Sequence, residues 1–146
     1  MALLTPEQYD FGRSAIDQVQ AGVAMAKTYK NVQLWPSIFT AMEVIVNRKT
    51  PAHRDKGGCL AHYDLLVSAG THKQAYMALR ELGGQFSYNP GTVLVFAGKV
   101  FLHEVMDWEG GKQLCIAHFM KDSVHDRLQI PRPTYPTQNT YMQLLT

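Results

Sequence analysis

Three residues carry the most chemical information in this chain: His53, Asp55 and His103. His-x-Asp is common, and in isolation the triplet reads as a polar loop after a strand. In an extended chain, however, residues i and i+2 point to the same side, so His53 and Asp55 can converge on one ion. They follow an apolar run, Ser37 to Val46, which would hold them at the mouth of a rigid strand. His103 lies fifty residues beyond His53, in Val100-Phe101-Leu102-His103-Glu104-Val105, and supplies a third ligand if the two segments lie side by side. Two imidazoles and one carboxylate on one face leave adjacent coordination positions open, the arrangement suited to non-haem iron(II) and oxygen chemistry. Zinc is the rival ion, but structural zinc sites close the fourth position with Cys or His.

Other histidines compete for the third position. His62 falls close enough to Asp55 to stand behind the ligands, and His72 reads as a solvated turn residue. His118 sits inside an apolar strand with Ile116 and Met120 on its face, where it could point inward and line the site. His125 follows the core strands and is expected to be exposed.

The elements that must position these groups are a helix and a series of short strands. Thr5-Pro6-Glu7-Gln8 has the form of a capping box with Pro at the first helical position. Tyr9, Ile16, Val19, Val23 and Ala26 then recur at helical spacing, predicting a helix over about 5–29, ending near Lys27 to Lys30 and buttressing a sheet. Gly12 and Gly22 weaken it by up to about 1 kcal/mol each relative to Ala. From about 35 to 122 the pattern is short strands between turn residues: Ser37–Val46 (expected to be mostly buried), Tyr63–Ala69, Ala75–Leu79, Phe86–Tyr88, Thr92–Ala97, Val100–Val105 and Gln113–Met120. Asn89-Pro90-Gly91-Thr92 suits a type II turn. Many strands at this spacing predict a sandwich or barrel rather than a parallel α/β sheet. Residues 127–146, with Pro131, Pro133 and Pro136, read as an irregular tail.

The bulk numbers agree with one globular domain over 1–146. The 146 residues allow a sizeable core, and 46% hydrophobic with 18% charged content is ordinary. A net charge of +2 neither demands nor excludes a nucleic-acid partner. Cys59 and Cys115 form no disulfide framework or metal-ligand spacing. The first residues lack a basic segment and apolar run of a signal peptide, and no stretch approaches the roughly 20 apolar residues of a membrane span, so an intracellular protein is expected.

The run Val46-Asn47-Arg48-Lys49-Thr50-Pro51-Ala52-His53-Arg54-Asp55 resembles the first metal-ligand segment of iron(II)/2-oxoglutarate dioxygenases. Tyr88 to Phe96 followed by His103, and then Leu114-Cys115-Ile116-Ala117-His118-Phe119, resemble the later strands of the same family. Together, over roughly residues 35–125, they most resemble the ten-eleven-translocation/J-binding-protein branch in its compact fungal form. That resemblance implies an α+β, mostly β, double-stranded β-helix of jelly-roll or cupin type with an N-terminal buttressing helix. It also implies iron(II), 2-oxoglutarate and dioxygen, and oxidation of a methylated base of 5-methylcytosine or 5-methyluracil type in DNA, which would place the protein in the nucleus.

The family's cosubstrate arginine follows the distal histidine by one strand, where this sequence offers Lys112; a lysine supplies charge without the planar fork. Asn47, Arg48 and His118 are the further candidates for the cosubstrate. Arg48, Lys49, Arg54 and Lys56 could meet phosphates, and Tyr63, Tyr76, Phe86 and Phe101 could stack on a base, with Arg54, Lys56 and Tyr63 the leading substrate contacts. Two alternatives stand beside this reading. One is the same chemistry on a small molecule or a peptide side chain. The other is an inactive relative that keeps the fold as a binding module. The oligomeric state is not legible in the sequence.

Overall fold

The computed structural model describes residues 1–22 and 31–143. Helix α1 (Pro6–Ala21) begins with Pro at its first turn and ends where Gly22 turns extended. The expected continuation through Val23 and Ala26 to Lys27–Lys30 lies outside the described residues. The capping box does not close. The Thr5 hydroxyl is buried without a partner, and Gln8 instead bonds the backbone of Tyr63 through both ends of its amide, at 2.7 and 2.9 Å. The buried stripe of the helix is accordingly Gln8, Gly12, Ala15 and Ile16, whereas Tyr9 faces outward. Gly12 is required by close approach: a Cβ there would lie 2.6 Å from the carbonyl oxygen of Ile38.

Eight strands follow: β1 (Ala41–Val46), β2 (Thr50–His53), β3 (Asp64–Gly70), β4 (Tyr76–Leu79), β5 (Gly84–Ser87), β6 (Val93–Phe96), β7 (His103–Val105) and β8 (Gln113–Phe119). They form two four-stranded antiparallel sheets, ordered β1-β8-β3-β6 and β2-β7-β4-β5. The type II turn is present, with Gly91 at φ +93° and the Thr92 N–H on the Asn89 carbonyl at 3.0 Å. Two helical turns, α2 (Ser123–Leu128) and α3 (Gln138–Gln143), interrupt the segment expected to be irregular.

Between the sheets, Met77, Leu79, Tyr88, Phe96, Val105 and Cys115 form the main core, flanked by Ile45, Leu66, Leu94 and Phe101. A second cluster of Ala15, Met120 and Ile130 ties α1 to α2 and to the end of β8. The buttress therefore leans on α2 and the chain around Ile38 and Tyr63 rather than across a sheet face. Strand β1 corrects one expectation. It is an edge strand, and Met42, Val44 and Val46 stand about half exposed on the outer face, because only Glu43 and Ile45 alternate inward. An apolar run of short length does not distinguish a buried strand from an edge strand with one open face. Among the described residues, no helix is long and apolar enough to cross a membrane.

Candidate metal centre

Strands β2 and β7 are hydrogen-bonded neighbours, and their register brings His53 directly opposite His103. An irregularity between Thr50 and His53 shifts that register by one residue, as a bulge does, and re-aims the strand end. The two imidazoles stand with ring centroids 4.2 Å apart. Just beyond β2, Asp55 donates its backbone N–H to Gly98 O at 2.9 Å. Its Oδ1 then lies 3.4 Å from His53 Nε2 and 3.9 Å from His103 Nε2. One donor atom from each residue falls within 4.8 Å of the other two, and these are the group of this kind among the described residues.

The protonation states suit a cation. His53 Nδ1 lies 2.8 Å from Pro51 O, and His103 Nδ1 lies 2.9 Å from Phe101 O. A carbonyl can only accept, so each Nδ1 carries the hydrogen and each Nε2 keeps its lone pair for a metal. Burial lowers the pKa of His103 and reinforces its neutral form. Phe96 packs edge-on against this ring at 4.9 Å and restricts its rotation. Two imidazoles and a carboxylate match the donor set of a first-row divalent metal, and no fourth His, Cys or carboxylate joins the group among the described residues.

Behind Asp55 stands Asp64, a residue that sequence reasoning missed. It opens β3 and is buried. Its carboxyl is pushed up to about 7, chiefly by burial and then by the charge of Asp55, to which it is hydrogen-bonded, while the Gly98 N–H acts in the opposite direction. A protonated Asp64 can donate to Asp55 and fix the carboxylate that faces the metal. The signal was a lone carboxylate at the head of an otherwise apolar strand. Gly98 makes room for both acids: a Cβ there would collide with the Asp55 carboxylate and lie 2.6 Å from Asp64 Oδ2. Gly98→Ala is therefore expected to weaken iron(II) binding by about 10–100-fold, the cost of disturbing a ligand's supporting partner. An anaerobic iron titration of the variant against the wild type checks it.

The triad opens into a cavity of about 320 Å³ between the sheets. Its walls come from alternate residues of β8 (Gln113, Cys115, Ala117 and Phe119), from Glu43 and Ile45 of β1, and from Leu66, Met77 and Val105. Arg48 and Thr50 also line it, as do Lys56, Gly58, Met120 and Lys121.

Against this cavity, the remaining expected site residues separate clearly. Arg48 and Lys56 line it. Lys112 lies outside it, exposed in the turn before β8. Asn47 is spent on structure: its Oδ1 accepts from the Gln113 N–H at 2.9 Å. His118 is one residue out of phase with the inward face of β8 and stands 6.0 Å from the Phe39 ring instead. Arg54 is ion-paired with Glu81 and donates to Val100 O at 2.9 Å. Tyr63 is not among the lining residues, Tyr76 and Phe86 are exposed, and Phe101 packs on the core.

His72 and His125, expected at the surface, are buried. His72 Nε2 donates to Tyr88 O at 3.1 Å. His125 Nδ1 donates to Pro131 O at 2.7 Å, and its Nε2 lies 2.9 Å from His62 Nε2. His62 thus serves α2 rather than the metal ligands.

A jelly roll with a His, Asp, His face open to an internal cavity is a scaffold that can hold a metal ion beside a bound substrate. Residues 1–122 match the family Tet_JBP, described as the oxygenase domain of the 2OGFeDO superfamily. The chain belongs to that family. That superfamily is one of iron(II)- and 2-oxoglutarate-dependent oxygenases, and the His53, Asp55 and His103 donor set fits an iron(II) ion.

Among solved structures, the fold is similar to that of NgTET1 in complex with 5mC DNA, with a TM-score of 0.53 and 16% identity, covering 97% of this chain. The chain spans 56% of the length of that structure. A weaker likeness, with a TM-score of 0.43 and 16% identity, links 65% of the chain to 76% of a Cupin 2 conserved barrel domain protein from Salinispora arenicola CNS-205. A search of curated proteins gave no match.

Proposed function

We propose that this domain oxidises a methylated base, of 5-methylcytosine or 5-methyluracil type, in DNA, using iron held by His53, Asp55 and His103. The observation that carries the reading is the placement of the triad on the wall of a cavity with cationic groups at its edges: Arg48, Lys56 and Lys121. Family membership and the likeness to a structure solved with 5mC DNA support the choice of substrate. Bound iron would supply the oxidation: dioxygen and 2-oxoglutarate are consumed, succinate and carbon dioxide leave, and a C–H bond becomes C–OH.

The residues of the chain then have distinct tasks. Arg48 holds the far carboxylate of 2-oxoglutarate, beside Gln113. Gln113 is almost completely buried at the head of β8, lines the cavity, and keeps its Oε1 without a hydrogen-bond partner. An amide oxygen only accepts, so this atom calls for a donor such as the Arg48 guanidinium, which lines the same cavity. At present Arg48 Nη1 rests 3.6 Å from Glu43 Oε1, an exposed contact of little strength from which it is easily drawn. Gln113 is neutral, so Arg48 carries the charge that a β8 arginine carries elsewhere in the family.

Phe119 and Met120, on the same wall, offer an apolar face for a base. A base stacked in duplex DNA cannot reach an internal metal, so it must be extruded into the cavity. Asp64 holds Asp55 in place.

The test is reconstitution with iron(II), ascorbate and 2-oxoglutarate, offering duplexes that carry 5-methylcytosine or 5-methyluracil. Mass spectrometry should find a hydroxymethyl base in one of them together with stoichiometric succinate. Succinate without any oxidised base would move the substrate to another class.

A further inference from the structure

Among the described residues, six basic side chains are ion-paired and six, Lys56, Lys73, Lys99, Lys112, Lys121 and Arg127, are not. Arg48, Lys49, Arg54 and Arg132 each face a carboxylate, on Glu43, Asp107, Glu81 and Asp122 respectively. Lys56, Lys99 and Lys121 have no ion-pair partner among the described residues, although they come from three separate parts of the chain. The fold gathers them around one point, the Gly57-Gly58 turn. Gly58 pairs with Lys121 in an antiparallel bridge. A Cβ on Gly58 would stand 3.5 Å from the Cβ of Lys99. Lys56 precedes the turn and lines the cavity with Lys121 and Gly58. Asp55, which lines the same cavity, faces the two imidazoles, and Asp122 donates its backbone N–H to Gly57 O while Arg132 holds its carboxylate in two hydrogen bonds at 2.7 and 3.0 Å.

We infer that Lys56, Lys99 and Lys121 form a phosphate clamp at the cavity mouth. It grips the DNA backbone on either side of the base delivered to the metal. Three like charges gathered without counter-ions are costly to keep together unless an anion spans them. The ledge between them is bare: Gly57 has φ +88°, and a Cβ on it would meet nothing within 4 Å. A phosphodiester can therefore approach the backbone closely. Charge at the rim positions a strand without reading its sequence. The clamp rests on the DNA reading above and assigns it to particular residues. It also shifts the contacts away from Arg54, whose guanidinium is already engaged.

The experiment is fluorescence anisotropy of the full chain with a labelled 5-methylcytosine duplex at several salt concentrations. Each released counter-ion contributes close to one unit of slope in a plot of log affinity against log salt. The variant K56Q/K99Q/K121Q should lose about two to three units of that slope and bind more than about 100-fold more weakly near 0.1 M salt. K56R/K99R/K121R should retain both slope and affinity, and thermal melting with iron titration confirms that each variant is folded. An unchanged slope in the glutamine variant, or a wild type that does not bind the duplex, overturns the clamp. Salt-dependent binding that needs the lysines, without any oxidised base, leaves the clamp standing and removes the base-oxidation reading instead.

Discussion

His53→Ala and Asp55→Ala should each abolish succinate formation, to less than about 1% of the wild-type rate. The loss should exceed the 10–100-fold that follows from disturbing an outer partner, because each removes a donor atom from the ion itself. The two should differ in their cause. His53→Ala removes a neutral donor from a half-exposed position, whereas Asp55→Ala removes the one carboxylate of the triad and leaves buried Asp64 without its hydrogen-bond partner. Asp55→Asn is the sharper variant, since it keeps size and hydrogen bonding but lacks the charge that balances a divalent cation. Turnover measured by succinate release, with iron content determined in parallel, checks all three. Wild-type turnover in any of them would remove the triad from the mechanism.

The second large effect is expected at Arg48. Arg48→Ala should raise the KM for 2-oxoglutarate by about 10–100-fold, the range for losing a charge-assisted hydrogen bond of about 1.5–3 kcal/mol. The effect on kcat at saturating cosubstrate should be small, since the lost interaction serves binding in ground and transition states alike. Arg48→Lys should fall between, with charge kept and the planar fork lost. Glu43→Gln should move in the opposite direction, lowering KM severalfold by freeing Arg48 and removing a like charge from the cosubstrate's surroundings. Lys112→Ala provides the contrast: exposed in a turn outside the cavity, it should leave KM unchanged. A KM that responds to Lys112 and ignores Arg48 would reverse the assignment.

Much of the scaffold was legible because strands announce themselves by local chemistry. Turn residues such as Pro90-Gly91 and Gly110-Gly111 set the strand boundaries. The candidate triad was legible for a related reason: His-x-Asp on extended chain needs only local parity to converge. What the sequence hid is parity against a distant partner. Placing His118 rather than Phe119 inward is an error of one residue, yet in a strand it reverses the whole face. Once Cys115 is known to be buried, Gln113, Ala117 and Phe119 follow.

Nor does a sequence display ion pairing across the fold. Arg54 looked free until Glu81, brought near by the turn after β4, was seen to hold it. The buried histidines share that origin. His125 reads as an exposed residue after the core strands, and only the partner at His62 and the Pro131 carbonyl make its burial tolerable. Thr5 and Gln8 show the reverse case, in which a good local motif yields to a tertiary bond with Tyr63.

Anaerobic calorimetric titration of the metal-free protein with iron(II), run beside His103→Ala, addresses the central claim most directly. One ion should bind per wild-type chain, and the variant should bind at least about 100-fold more weakly, since it loses the donor from the opposing strand. Undiminished uptake by His103→Ala, or no uptake by the wild type, would mean that β2 and β7 do not build a metal centre between them.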